Sequence, residues 1–205
     1  MIVAQHGDKE ARRREILDAG RAVLRSGGLA GMQMREVARR AGVALGTLYT
    51  YFATKESLYA ALYSEAVERF FLDMEPLLED RAVDPEELFV AFANGQRTMY
   101  AEYGRELDLF TMLGSKSGVD QLVLERLIQA TTRMTSAFRK LLADRNIDNP
   151  DLALVVLWST ATGLAEHFTG PRHAFHGLSW DETVRYAASV LTNNALSSTP
   201  DSSQQ

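Results

Sequence analysis

The 205-residue chain has no cysteine and only five prolines. Without thiols, disulfide frameworks, Cys-type zinc fingers, iron–sulfur clusters and thiol catalysis are excluded, and the chain suits a reducing compartment. No apolar run approaches the roughly 18 to 20 residues that a membrane span requires, and the first residues lack a basic stretch followed by an apolar core. The expectation is a cytoplasmic protein with no membrane partner. Period-two alternation is also missing, so no strand is expected. GxGxxG, phosphate-loop, HExxH and GxSxG patterns do not occur, and the adjacent carboxylates Glu86-Glu87 and Asp181-Glu182 stand where helices begin, complementing the helix dipole. Neither catalysis nor a cofactor is expected.

What is present is an ordinary globular balance, 46% hydrophobic and 24% charged residues, in a chain long enough to bury about 70% of its unfolded surface. The net charge of −5 hides an asymmetry. Residues 1–54 hold nine Lys and Arg against five Asp and Glu, a surplus of +4, whereas residues 55–205 carry −9. The positive end contains Arg12-Arg13-Arg14, Arg35, Arg39 and Arg40 and is the candidate polyanion binder.

Apolar spacing of three and four residues predicts an all-α fold of nine helices. The first runs from about Lys9 to Ser26, stopped by Gly27-Gly28; the second from Met34 to Ala41, stopped by Gly42; the third from Ala44 to Tyr51. Lys55 opens a long fourth helix, expected to be disrupted at Pro76. Later starts are marked by Asp84-Pro85, Asn149-Pro150 and the capping-box spacing of Ser179 and Glu182. They predict helices over about 85–103, 106–113, 120–145, 150–168 and 180–196. Residues 197–205 are polar and are read as a disordered tail.

Two short helices joined around Gly42 have the spacing of a helix-turn-helix, with 44–51 as the element that would enter the major groove and Leu48 and Phe52 as its inward anchors. Its residues are rich in hydroxyls, and Gly46 permits close backbone approach. The alternative on spacing alone is an ordinary helical hairpin.

The stretch Ile16–Leu58 resembles the DNA-binding domain of the TetR-type bacterial transcriptional regulators. Gly28, Val37-Ala38, Ala41-Gly42-Val43, Gly46-Thr47-Leu48-Tyr49, Phe52 and Lys55-Glu56 stand at that family's spacing. The resemblance implies a three-helix DNA-binding domain at 1–54 and a larger helical ligand-binding and dimerisation domain at 55–196. It also implies a homodimer on an inverted-repeat operator of double-stranded DNA, released by a small-molecule effector. Carried over by position, Arg35, Leu45, Gly46 and Tyr49 correspond to groove-facing residues, and Thr47, Tyr51 and Lys55 to phosphate contacts. Two departures are Met32-Gln33-Met34, where Ser or Thr is common, and Ala44 in place of a capping Ser; Gln33 is a candidate replacement at the first.

In the C-terminal part, Leu88, Phe92, Gln96, Met99 and Tyr103 share one stripe, and a glutamine in such a stripe needs a partner. The candidate pocket adds Phe110, Met134, Phe138 and Trp158 with the polar groups of Thr162 and Glu166, a lining suited to an apolar or weakly polar effector. For each of these residues plain core is the competing reading. Ser159, Gly163, Tyr186, Ala187, Val190 and Leu191 are the candidate dimer interface, intramolecular packing being the alternative. His167, His173 and His176 form a possible metal set, with loop histidines as the bland reading. The functional expectation is a ligand-responsive regulator, a repressor rather than an activator; the alternatives are a helical small-molecule carrier or a metal-responsive regulator.

Overall fold

The computed structural model describes residues 2–104 and 121–196. Among these residues there are eight α-helices and no strand: α1 Ile2–Gly31, α2 Met34–Arg40, α3 Leu45–Tyr51, α4 Lys55–Glu79, α5 Pro85–Tyr103, α6 Gln121–Asp144, α7 Pro150–Thr169 and α8 Trp180–Leu196, with a 3₁₀ turn at Pro171–Phe175. The helix expected at 106–113 and the tail at 197–205 lie outside the described residues.

Two expectations about helix ends are corrected. Helical bonding in α1 begins at Ile2 and continues to Gly31, with the break confined to Gly28 (φ 62°, ψ −174°), a left-handed conformation that only glycine adopts without strain. Pro76 does not end α4, which continues to Glu79. It stands in the last turn, where the one bond it forgoes would reach the carbonyl of Leu72, on an exposed part of the helix. The cap signals are upheld. Asp84 Oδ1 accepts from the N–H groups of Glu86 and Glu87 at 2.8 and 3.2 Å, and Asn149 Oδ1 accepts from Leu152 N–H at 3.0 Å. Ser179 and Glu182 form the reciprocal box, Glu182 Oε2 accepting from Ser179 N–H at 3.0 Å while Ser179 Oγ accepts from Glu182 N–H at 3.2 Å. The bonds from Ser179 hold the Glu182 carboxyl below its ordinary acidity range.

The chain packs as two compact units, Met1–Arg69 with Glu102–Ala130, and Phe70–Ala101 with Thr131–Gln205. In the first, Ile16, Leu17, Val23 and Leu24 of α1 are buried, as are Val37, Leu48, Phe52, Leu58 and Leu62. Gly20 lets α4 approach α1 closely, since a Cβ there would sit 3.3 Å from Leu58 and Leu62 methyls. Arg21 ties the same helices together through Asp18 at 2.8 Å and Glu65 at 2.9 Å.

The second unit is organised around Phe92. Its ring stacks on Phe70 at 5.6 Å and meets the edges of Phe138 at 4.9 Å and Trp158 at 5.2 Å. Gly95, one turn on, is needed by the Phe70 ring, which lies 2.0 Å from where a Cβ would be. Buried Trp180 anchors α8, its indole N–H donating to Asn94 Oδ1 at 2.7 Å beneath the guanidinium of Arg97. On α7, Ala161 and Ala165 are fully buried, while Ser159 and Gly163 look outward.

Candidate nucleic-acid interface

The turn between α2 and α3 is built from its backbone. Val43 N–H bonds the Ala38 carbonyl at 3.0 Å and Gly42 N–H bonds that of Arg39 at 3.3 Å, the paired closure of a Schellman stop, and Gly42 supplies the required positive φ of 65°. Val43 then leads into Ala44, whose extended backbone starts α3. Leu48 (0% exposed) and Phe52 (4%) hold α3 down as expected. Leu45 is half-buried, and Gly46, Thr47, Tyr49 and Thr50 are exposed on its outer side. A Cβ at Gly46 would meet nothing within 4 Å, so the packing of this chain gives no reason for glycine there.

Neither departure in capping is repaired. Gln33 and Ala44 occupy the N-cap positions of α2 and α3, and neither makes a side-chain capping bond, which corrects the expectation for Gln33. Met32 and Met34 are buried instead, exchanging a cap for core packing.

A groove of about 440 Å³ runs between these helices, lined by Met32, Gln33, Met34, Arg35, Leu45, Tyr49, Ala53, Thr54 and Lys55. It brings together four of the seven residues singled out for DNA: Arg35, Leu45, Tyr49 and Lys55. Gly46 and Thr47 lie exposed outside it, and Tyr51 is half-buried. Ala53 and Thr54 were missed in the sequence, although Thr54 and Ser57 have cap spacing. Ser57 N–H donates to Thr54 Oγ1 at 3.0 Å and Thr54 N–H to Ser57 Oγ at 3.2 Å, fixing the start of α4. Lys55 is thereby held at the first position of a 25-residue helix, where the dipole favours anions over cations. A lysine in that place and the free N–H groups of the helix start together suit phosphate.

The other cations of the basic segment are partly committed. Arg39 donates to Glu36 at 2.8 and 2.7 Å and Arg40 at 2.7 Å, bonds that lower the Glu36 pKa to about 2. Arg13 lies 5.4 Å over the Phe52 ring, and Arg12 pairs with Glu15 at 2.7 Å. Arg35 is exposed, and no carboxylate of the described residues pairs with it. The net surplus of positive charge in this segment is therefore carried outward chiefly by Arg35 and Lys55.

The C-terminal candidates fall in different places. Phe92, Met134 and Phe138 are buried core, Trp158 packs against it, and Gln96 and Met99 are buried as well. Tyr103 belongs to the first unit, its hydroxyl donating to the Leu62 carbonyl at 3.2 Å and its carbonyl accepting from Tyr59; burial pushes its pKa up to about 12. Thr162 Oγ1 is buried without a partner, and Glu166 faces Arg172 at 4.0 Å. Phe110 lies outside the described residues. A cavity of about 510 Å³ opens beside this set, sharing Phe92 and Phe138 and otherwise lined from Pro85 to Phe89, from Leu141 to Leu157 and by Leu191 and Thr192. Tyr186 (71% exposed) and Val190 (39%) stand on the surface of α8, Ala187 is half-buried, and Leu152 and Val155 are exposed on α7.

The histidines do not converge as a set of three. His167 and His176 meet head to head in nearly one plane, Nε2 to Nε2 at 2.5 Å, while His173 Nδ1 turns to the Gly170 carbonyl at 2.7 Å. Among the described residues no group of three or more His, Cys, Asp or Glu could hold a metal ion, and no helix is long and apolar enough to cross a membrane.

Residues 16–62 match the family model of bacterial regulatory proteins, tetR family. The chain is 35% identical over 74 residues to the fatty acid metabolism regulator protein of Bacillus subtilis, covering 36% of this chain and 38% of that protein. It is 48% identical over 58 residues to the HTH-type transcriptional repressor KstR of Mycolicibacterium smegmatis, covering 28% of each. The chain thus spans well under half the length of these curated relatives. The fold extends further: the transcriptional regulator FadR from Bacillus subtilis, solved in complex with stearoyl-CoA, superposes with a TM-score of 0.56 over 90% of this chain and 97% of its own, at 17% identity.

Proposed function

The chain belongs to the tetR family of bacterial regulatory proteins, whose members bind DNA and are not enzymes, and from that premise we propose that it is a ligand-responsive transcriptional repressor of the cytoplasm. The observation that carries the DNA half is the groove in which α2, α3 and the start of α4 present Arg35, Leu45, Tyr49 and Lys55 together. In this reading Arg35 and Tyr49 reach base edges, Gly46 lets the α3 backbone close on the duplex, and Thr47, Tyr51 and Lys55 hold phosphates. Residues 1–54 form the DNA-binding module, and 55–196 bind effector and pair two copies.

The exposed apolar side chains Leu152 and Val155 on α7 and Tyr186 and Val190 on α8 support a homodimer built on those helices, beside Ser159 and Gly163. Two copies of α3 on a two-fold axis read an inverted repeat. A small molecule in the cavity of the second unit is the effector, and a protein of this fold solved with stearoyl-CoA supports small-molecule binding. Because α4 is one helix from Lys55 to Glu79, a change at its far end is delivered to Lys55. Linkage then requires DNA to weaken effector binding by the same factor that effector weakens DNA binding.

The division of labour in the groove is tested by titrating selected DNA at several salt concentrations. Lys55→Ala lowers affinity for all sequences alike and reduces the salt slope by about one, while Arg35→Ala costs about 1 to 3 kcal/mol and relaxes preference at particular base pairs. Identical behaviour of the two variants on cognate and scrambled DNA would refute it.

A further inference from the structure

The cavity of the second unit is walled by apolar side chains, Leu88, Phe89, Leu141 and Leu157 among them, and its volume of about 510 Å³ is that of a small-molecule site. Its polar groups are few and mostly engaged. Thr192 donates its hydroxyl to the Ala188 carbonyl at 3.0 Å, and the side-chain oxygen of Asn149 caps α7. Asp148 is exposed, so water screens its charge.

Arg145 is different. It is half-buried in the cavity wall, and its Nη2 donates to the Val83 carbonyl at 2.7 Å, a neutral partner that leaves the charge uncompensated. Nearby arginines on the outside are neutralised, Arg81 by Asp144 at 3.0 Å and Arg139 by Asp151. No carboxylate of the described residues pairs with Arg145. A guanidinium has five N–H donors in a planar fork that fits a carboxylate or phosphate with two parallel bonds. A partly desolvated charge beside an apolar wall is costly until it is paired.

We infer that this cavity takes an amphipathic anion, an apolar body lying against the leucines and phenylalanines with a carboxylate or phosphate head held by Arg145. This rests on the ligand-responsive reading above and narrows its effector from apolar molecules in general to those with a negative end.

The test uses the full chain without DNA, titrated calorimetrically with dodecanoate, dodecyl phosphate, dodecan-1-ol and dodecyltrimethylammonium, each below its micelle threshold. At least one anion should bind tenfold or more tightly than the alcohol, equivalent to about 1.4 kcal/mol, with the ammonium weakest. Which anion leads tells carboxylate from phosphate. Arg145→Gln should abolish the anion's advantage and leave dodecan-1-ol within twofold of its original affinity, and Arg145→Lys should retain only part of the advantage. Thermal melts check that the loss of the bond to Val83 leaves the variants folded, and the wild-type comparison of anion with alcohol stands without any variant. Equal affinity for anion and alcohol, tightest binding of the ammonium, or an advantage that survives in Arg145→Gln overturns the inference. Tight anion binding that leaves DNA affinity unchanged would instead strike the regulatory reading and spare the site.

Discussion

Glu36 is the brake on the positive charge of the DNA-binding module, and Glu36→Gln should release it. The carboxylate accepts three bonds, two from Arg39 and one from Arg40, all at 2.7 to 2.8 Å, and so neutralises one charge while tethering two guanidiniums. Both arginines are exposed, Arg39 at 70% of its side chain. If one freed guanidinium per protomer finds a phosphate, a two-fold dimer gains two contacts, and the slope of log affinity against log salt steepens by about 1.8. Between 50 and 200 mM salt the variant then loses about 12-fold more affinity than the wild type, and its advantage is largest at low salt. Fluorescence anisotropy on cognate and scrambled duplexes at four salt concentrations reads both quantities, and the gain should appear on both duplexes because phosphate contacts carry no sequence. A salt slope equal to that of the wild type would show that Arg39 and Arg40 do not reach the backbone and would refute the reasoning. Stability offers a second check. The bonds from Arg39 and Arg40 hold the Glu36 pKa at about 2, below its ordinary 4.5, so they stabilise the fold above the unfolded value and that contribution is lost as pH falls from 4.5 toward 2. Any difference in melting temperature between variant and wild type should therefore be present near neutrality and vanish at the acid end.

Gly95→Ala should destabilise the second unit although alanine is the better helix former: a Cβ 2.0 Å from a Phe70 ring that is itself stacked on Phe92 costs about 3 kcal/mol by overpacking, against about 1 kcal/mol gained in propensity, so calorimetry should show a melting point lowered by about 4 to 8 °C. An unchanged or raised melting point would mean that the ring yields freely. Val190→Asp should give monomers with little operator affinity, read by sedimentation; a dimer of undiminished mass would move the interface away from α8.

The all-α character, the helix starts and the helix-turn-helix could be read from the sequence because each depends on partners three to five residues apart. Asp84, Asn149 and Ser179 cap the helices they precede, and Gly42 turns the chain wherever the rest of the molecule lies, since the Schellman bonds involve only Ala38 to Val43. Local readings failed where burial or a close contact outweighed propensity. Gln33 stands at a cap position without capping while its neighbours Met32 and Met34 turn to the core, and Pro76 is carried inside α4. Tertiary structure alone decided matters between residues far apart in the chain. Arg13, counted as free charge, lies over Phe52, and Phe70 makes Gly95 obligatory. The groove collects Arg35, Tyr49 and Lys55 from three helices, and the cavity lies beside Phe92 and Phe138 rather than around the whole apolar stripe. Hydrogen bonds within a turn are set by backbone geometry that each residue type carries with it, whereas a cavity is space left over after every side chain has packed, a property of the whole unit and of no segment of it.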